Sequence, residues 1–347
     1  MHILADLLEF VLALGPKANS NHLIERFVPL ATKSIDLIAM PLARPPEIIS
    51  VTGRRAAEQE PKPKLTEQID VDHILGLMHD MAMTASLSPE TNRTYWQQME
   101  FDFTLMMLNI PQQLPYMQLI LQMIGASVLP ESFGVISAHP EKQPSLETHT
   151  IDRLTNLLFE QPRAPTDEPP YEDSELASLR IEAIRTLSAI ASTGRGSIAL
   201  AQHRTAVGRL IRFLHIQVTA LYDLPLTLLC ETEDGLTLGP STIQSLTTAL
   251  INLTVRLVHQ LMFSHTDVIN PREKLTVIPG GHHKFLVSLT RLAFSDQLVY
   301  EAGIDEEAID AAHEILDYIL TPEEGDAVVD AIETPRGSTV ARASAPG

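Results

Sequence analysis

The sequence predicts an all-α protein, an irregular HEAT/armadillo-like stack of helices, or α-solenoid. Three observations carry that expectation. Apolar residues recur at three- and four-residue steps, as in Leu176, Leu179, Ala183, Ile184, Leu187 and Ile190, so each segment has one apolar stripe that a neighbour must cover. From Ser174 to Tyr222 a helix, a glycine break at Gly194 and Gly196, a short helix through Leu200 and a long helix from Arg204 follow one another, which is the order of an armadillo or HEAT unit. No stretch shows the alternating pattern of a half-buried strand.

Residues 1–43 read as N-terminal helices. In Ile3–Leu14 an amphipathic pattern with Asp6 and Glu9 argues against a signal peptide. Asn21 is placed to cap a second helix through Met40, with Pro29 bending or splitting it and Pro41 and Pro45-Pro46 ending it. The Pro-, Glu- and Lys-rich residues 44–64 read as a flexible linker. Residues 65–160 read as helical repeats: a helix from Thr66, one opened by Ser88-Pro89-Glu90 and running through Leu108, one from Gln112 to Ile124, a loop over Pro130–Pro144 and a helix from Ser145 to Phe159. Residues 161–173, with Pro162, Pro165, Pro169 and Pro170, read as an exposed Pro-rich linker. Residues 174–331 form the armadillo/HEAT-like C-terminal stack. It continues with a long helix from Pro240 to about Phe263, a helix after Gly280-Gly281, and helices over Asp305–Leu320 and Pro322–Ala331. Residues 332–347 read as a disordered tail.

At 347 residues and 44% hydrophobic content the chain can bury a large core. Its net charge of −19 argues against nonspecific binding to nucleic acid or to an anionic membrane. The charge-free stretch Phe103–Pro130 is interrupted by Pro111, Pro115 and glutamines, as a buried helix pair would be, and no membrane association is expected. A single cysteine, Cys230, excludes an intramolecular disulfide and a Cys-rich zinc site.

The sequence supplies little that resembles catalysis. His282 and His283 are adjacent and diverge on a helix, and His313-Glu314 lacks a second histidine at metal-binding spacing, so no metal or other cofactor is expected. No Gly-x-Ser-x-Gly elbow occurs, and no basic group neighbours Cys230, so the chain reads as a non-enzyme. Gly194-Arg195-Gly196-Ser197 and Gly280-Gly281 are either anion-holding helix starts or turns between stacked helices. The dense methionines between Met78 and Met123 are either an adaptable groove or fillers of an irregular core. Charge is sorted along the chain. Ser178–Tyr222 holds six arginines against Glu182 alone, whereas Ser295–Thr334 holds thirteen acids and no lysine or arginine. Docking faces and plain solvated helix faces are both compatible with such runs.

The run His283–Phe294, then Glu301-Ala302-Gly303-Ile304, then Ala311–Leu320 and Thr321-Pro322-Glu323-Glu324-Gly325 resembles the end of fungal ATR-interacting checkpoint proteins, the ATRIP family, most clearly over the last quarter of the chain. The resemblance implies a non-catalytic, nuclear regulatory subunit of the DNA damage checkpoint. Its partner would be an ATR-like phosphatidylinositol-3-kinase-related protein kinase, with an indirect link to single-stranded DNA coated by replication protein A. In that family an acidic recruitment segment and a dimerising coiled coil precede the helical region, and this sequence is expected to correspond to the helical part. The residues placed on the partner surface by this resemblance and by the acidic bias are Lys284, Phe285, Arg291, Asp305, Glu306, Glu307, Asp310, Glu323 and Glu324. The alternative is a general armadillo/HEAT-type peptide-binding adaptor, for which Asn252 is the mid-helix candidate for a groove asparagine.

Overall fold

The computed structural model describes residues 21–43, 70–99, 101–129, 132–133, 143–162, 164, 169–223, 242–264, 274, 280–294 and 303–320. The helices expected over 3–14 and 322–331, Cys230, the 44–64 segment and the 332–347 tail lie outside the described residues. In chain order the helices are α1 (Asn21–Ala43), α2 (Val71–Ala85), α3 (Pro89–Gln97), α4 (Phe101–Met107), α5 (Leu114–Ala126), α6 (Gln143–Leu157), α7 (Asp173–Ala191), α8 (Gly194–Gln202), α9 (Ala206–Asp223), α10 (Thr242–Ser264), α11 (Gly281–Phe294) and α12 (Glu306–Ile319). Between α5 and α6 the strands β1 (Val128–Leu129) and β2 (Ser132–Phe133) pair antiparallel, with Val128 opposite Phe133. The sequence reading contained no strand, because two-residue strands are too short for alternation to register.

The helices form two rows. One row runs α4, α6, α9, α11 and the other α5, α7, α10, α12, each member touching the next in its row. Consecutive helices α4–α5, α6–α7, α9–α10 and α11–α12 pair across the rows, so each pair buries its stripes against its partner and against the neighbouring pairs. The α-solenoid expectation is therefore borne out. The short α8 sits among α6, α7, α9 and α10, while α1, α2 and α3 close the N-terminal end.

One continuous apolar core reaches from Ile24 in α1 to Ile319 in α12. The Pro-rich segment does not interrupt it. Pro162 is buried, and the Tyr171 hydroxyl accepts the backbone N–H of Leu114 at 3.1 Å, so the described ends of the segment expected to be exposed are tied to the stack.

Two helix boundaries differ from the sequence reading for packing reasons. α1 is not split at Pro29 and continues past Pro41 to Ala43. A mid-helix proline costs about 3 kcal/mol. Burying Ile24, Val28, Ala31 and Ile35 on one face offsets this, at about 1.5–3 kcal/mol for each large side chain. The single helix expected over Pro89–Leu108 is two, α3 and α4, broken at Gln98 to Glu100. Both pieces pack on α1, but α3 also packs on α2 whereas α4 turns to α5 and α6, which one straight helix would not do.

The methionines resolve as core fillers: Met78, Met81, Met99, Met107, Met117 and Met123 are fully buried, while Met83 is exposed. Gly196 is held by close approach. A Cβ there would lie 2.2 Å from the Ile190 carbonyl oxygen and 2.7 Å from the Thr193 hydroxyl, which caps α8 by accepting the Gly196 N–H at 3.0 Å. Gly194 has open space around it. Gly196→Ala is expected to destabilise the chain by about 1–3 kcal/mol through overpacking, while Gly194→Ala is neutral or slightly stabilising, as thermal melts of both variants would show.

Candidate functional site

Of the residues assigned to a partner surface, Lys284, Phe285 and Arg291 lie on α11, and Asp305, Glu306, Glu307 and Asp310 lie at the start of α12, which packs on α10 at the C-terminal end of the stack. α11 starts after Gly280 (φ +67°), and Gly303 (φ +78°) turns the chain toward α12, both in the left-handed region that suits glycine. Asp305 sits at the N-cap of α12, and its backbone N–H donates to the Asn252 side-chain oxygen at 3.2 Å. Asn252 is buried and bonded to α12, so it is not available as the groove asparagine of a peptide adaptor.

Arg256 on α10 reaches both Asp305 and Glu307 at 2.8 Å. One turn further, His259 lies 2.6 Å from Glu314. Its ring stacks at 4.6 Å on Phe263, which meets Tyr318 at 5.4 Å. α10 and α12 are thus held side by side by an ion pair at one end and an aromatic ladder at the other. Exposed pairs of this kind contribute about 0.2–1 kcal/mol each, so their main effect is to fix orientation. Phe263, Tyr318 and Phe294 remain partly open to solvent, with Phe294 edge-on to His313 at 5.0 Å.

Arg291 is likewise occupied within the chain. Its guanidinium lies 4.7 Å above the Tyr222 ring, and its carbonyl accepts the Tyr222 hydroxyl at 3.1 Å, which couples α11 to α9. Phe285 is fully buried. Its place among the partner-surface residues is therefore corrected, since α11 spends this ring on the core contact with α9 and α12. Lys284, Glu306 and Asp310 are exposed, whereas Glu323 and Glu324 lie outside the described residues.

A family model described as Rad26-like, helical repeats, matches residues 30–262, and a second, described as Rad26-like, C-terminal domain, matches residues 269–332. The chain belongs to the Rad26-like family. The family name read from the C-terminal residues is corrected accordingly: the matching models are the Rad26-like ones, and they reach from residue 30 to residue 332. The chain is also similar to a crystal structure of residues 373–841 of Rad26 from Myceliophthora thermophila, at 24% identity and a TM-score of 0.73, covering 92% of this chain and 81% of that one. That likeness shows a shared fold. None of the curated proteins matches. All nine residues placed on the partner surface fall within the Rad26-like C-terminal domain.

Sequence reasoning missed Arg256, His259, Phe263, Glu314 and Tyr318, because what joins them is the parallel course of α10 and α12, some fifty residues apart in the chain. Among the described residues no three His, Cys, Asp or Glu side chains are grouped to hold a metal ion. α10 is long and apolar enough to cross a membrane by length and composition, and 61% of that window is buried inside the stack.

Two histidines at helix junctions of this Rad26-like stack carry depressed pKa values. Burial lowers His203, and Arg209 and Lys274 add to this, while Asp152 and a backbone hydrogen bond to Thr148 pull the other way. Its Nδ1 accepts the N–H groups of Thr205 (3.3 Å) and Ala206 (3.2 Å), so the neutral ring caps α9. Burial also lowers His215, helped by Lys284, Arg291 and His283 and opposed by a backbone hydrogen bond to Lys284. Its Nδ1 lies 2.9 Å from the Ser288 hydroxyl, which itself lies 2.8 Å from the Lys284 carbonyl. The unfolded chain protonates both rings near the ordinary value of about 6.5, before the folded chain does, so folding stability is full above that pH and is lost as pH falls through the lower folded values. Urea unfolding at pH 7.5 and 5.5 should show this loss. His203→Asn, which keeps a neutral capping acceptor, should reduce it.

Proposed function

We propose that this chain is a non-catalytic, nuclear regulatory scaffold that binds an ATR-like phosphatidylinositol-3-kinase-related checkpoint kinase in the DNA damage response, and through that complex is linked indirectly to single-stranded DNA coated by replication protein A. The observation that carries the reading is the match of the Rad26-like C-terminal domain to residues 269–332, the same residues whose pattern suggested a kinase-associated protein. The polar chemistry described on this end is spent on joining helices: Arg256 with Asp305 and Glu307, Arg291 on Tyr222, Asn252 on α12. What is left for a partner is an acidic, partly aromatic face of α12, where Glu306 and Asp310 are exposed beside Glu307. Such a face suits a basic helical surface.

Glu306→Lys with Asp310→Lys is expected to weaken capture of the kinase N-terminal region by about tenfold or more, since like charges brought together across an interface cost on the order of several kcal/mol. Asp305 and Glu307 are poorer choices, because changing them also unpairs Arg256. Co-expression with the kinase followed by size-exclusion chromatography tests the reading. Co-elution of the parent chain with loss in the double variant supports it, and a folded chain that never co-elutes refutes it.

A further inference from the structure

Between α6, α8 and α9 lies a pocket of about 580 Å³, on the opposite row from the exposed face of α12. Its two carboxylates are already neutralised: Glu147 accepts from Arg195 at 2.7 Å, and Asp152 from Arg209 at 2.6 Å. Arg209 is further fixed by the Thr155 hydroxyl at 2.9 Å, so its guanidinium is held in place and not free to swing. Two cationic groups stand beyond these pairs. Lys274 is anchored on the backbone carbonyls of Gln202 and His203, each at 3.2 Å, where α8 ends. Arg204, at the pocket wall, is exposed and makes no hydrogen bond or ion pair among the described residues. The Thr205 hydroxyl, also in the wall, is buried without a partner among the described residues. In a chain of net charge −19, the lining balances Arg204 and Arg209 against Glu147 and Asp152, and Arg195 and Lys274 beside it tip the local charge positive, with the Thr205 donor unused.

We propose that this pocket receives one anionic side chain, phosphate- or carboxylate-bearing, from an acidic peptide segment of a partner protein. Arg204 supplies a free, fork-shaped set of donors, and Thr205 a hydroxyl whose burial is costly until it is bonded. The pocket holds a single group and is not a track. Glu147 and Asp152 on its α6 wall and the strongly acidic chain around it oppose a continuous polyanion, and no exposed aromatic ring lines it for base stacking, so a peptide is favoured over nucleic acid. The proposal does not depend on which protein docks on α12.

The test is fluorescence anisotropy with the full chain and four fluorescein-labelled probes. Three are peptides identical except for a central phosphoserine, glutamate or serine, and the fourth is an oligothymidylate. The phosphoserine or the glutamate peptide is expected to bind at least about tenfold tighter than the serine peptide, the value of one charge-assisted hydrogen bond, and whichever binds tighter identifies the anion. Arg204→Glu should remove that preference. The same charge change at exposed Arg93, on the distant α3, should leave it within about twofold, with thermal melts showing that both variants fold. No preference for the anionic peptides, a preference unaffected by Arg204→Glu, or Arg204-dependent binding of the oligothymidylate alone would each overturn the proposal.

Discussion

The seam between α7 and α10 holds the two halves of the stack together. α7 is the helix on which α5, α6 and α8 rest, and α10 the one on which α9 and α12 rest, so their shared face is the main joint between the N-terminal and C-terminal pairs, beside the lesser contact of α6 with α9. α10 contributes Leu250, Ile251, Val255, Leu257, Val258, Leu261 and Met262, all essentially without solvent contact, and α7 contributes Leu179, Ala183, Ile184, Leu187 and Ile190. Each large side chain so buried stabilises the fold by about 1.5–3 kcal/mol. Gln260 adds direction by donating to the Ala191 carbonyl at 3.0 Å, where α7 ends. A stack of this kind has no central core apart from its neighbour contacts, so its stability is a sum of seams.

Polar groups set the angle between members of each row. In one row Arg209 joins α9 to α6 through Asp152, and His215 and Tyr222 join α9 to α11. In the other, Arg256 and His259 join α10 to α12. These bonds are individually weak at the surface, yet they are directional where apolar contact is not. The consequence for function is subtractive. Among the described residues near the C-terminal end, Arg256, Arg291, Asp305, Glu307 and Glu314 are committed to neighbouring helices, and the groups without such pairs, Glu306 and Asp310 on α12 and Arg204 beside the pocket of α8 and α9, stand out against them.

Much of the fold was legible in the residues. The stripe of α7 falls where its three- and four-residue spacing put it, since an apolar face must be covered whatever covers it. The break of α3 from α4, the continuation of α1 past Pro41, and the tethering of Tyr171 to Leu114 were not legible, because each is decided by what another helix presents to that segment. Phe285 shows the same limit at the candidate site. A stretch that points to a partner in sequence still has an inward side, and this ring lies on it.

The sequence by itself determined that this is an all-helical stack, through periodic stripes that no isolated helix can bury. It also determined that acidic charge gathers toward the C-terminus, because charge runs are read directly from the chain. Tertiary structure alone decided which of those charges are spent, since the pairing of Arg256 with Asp305 and Glu307 joins residues about fifty positions apart. It also decided that Arg204, beside a pocket, has no counter-charge among the described residues, because a cation is committed or available according to the distance to its counter-charge, and folding sets that distance.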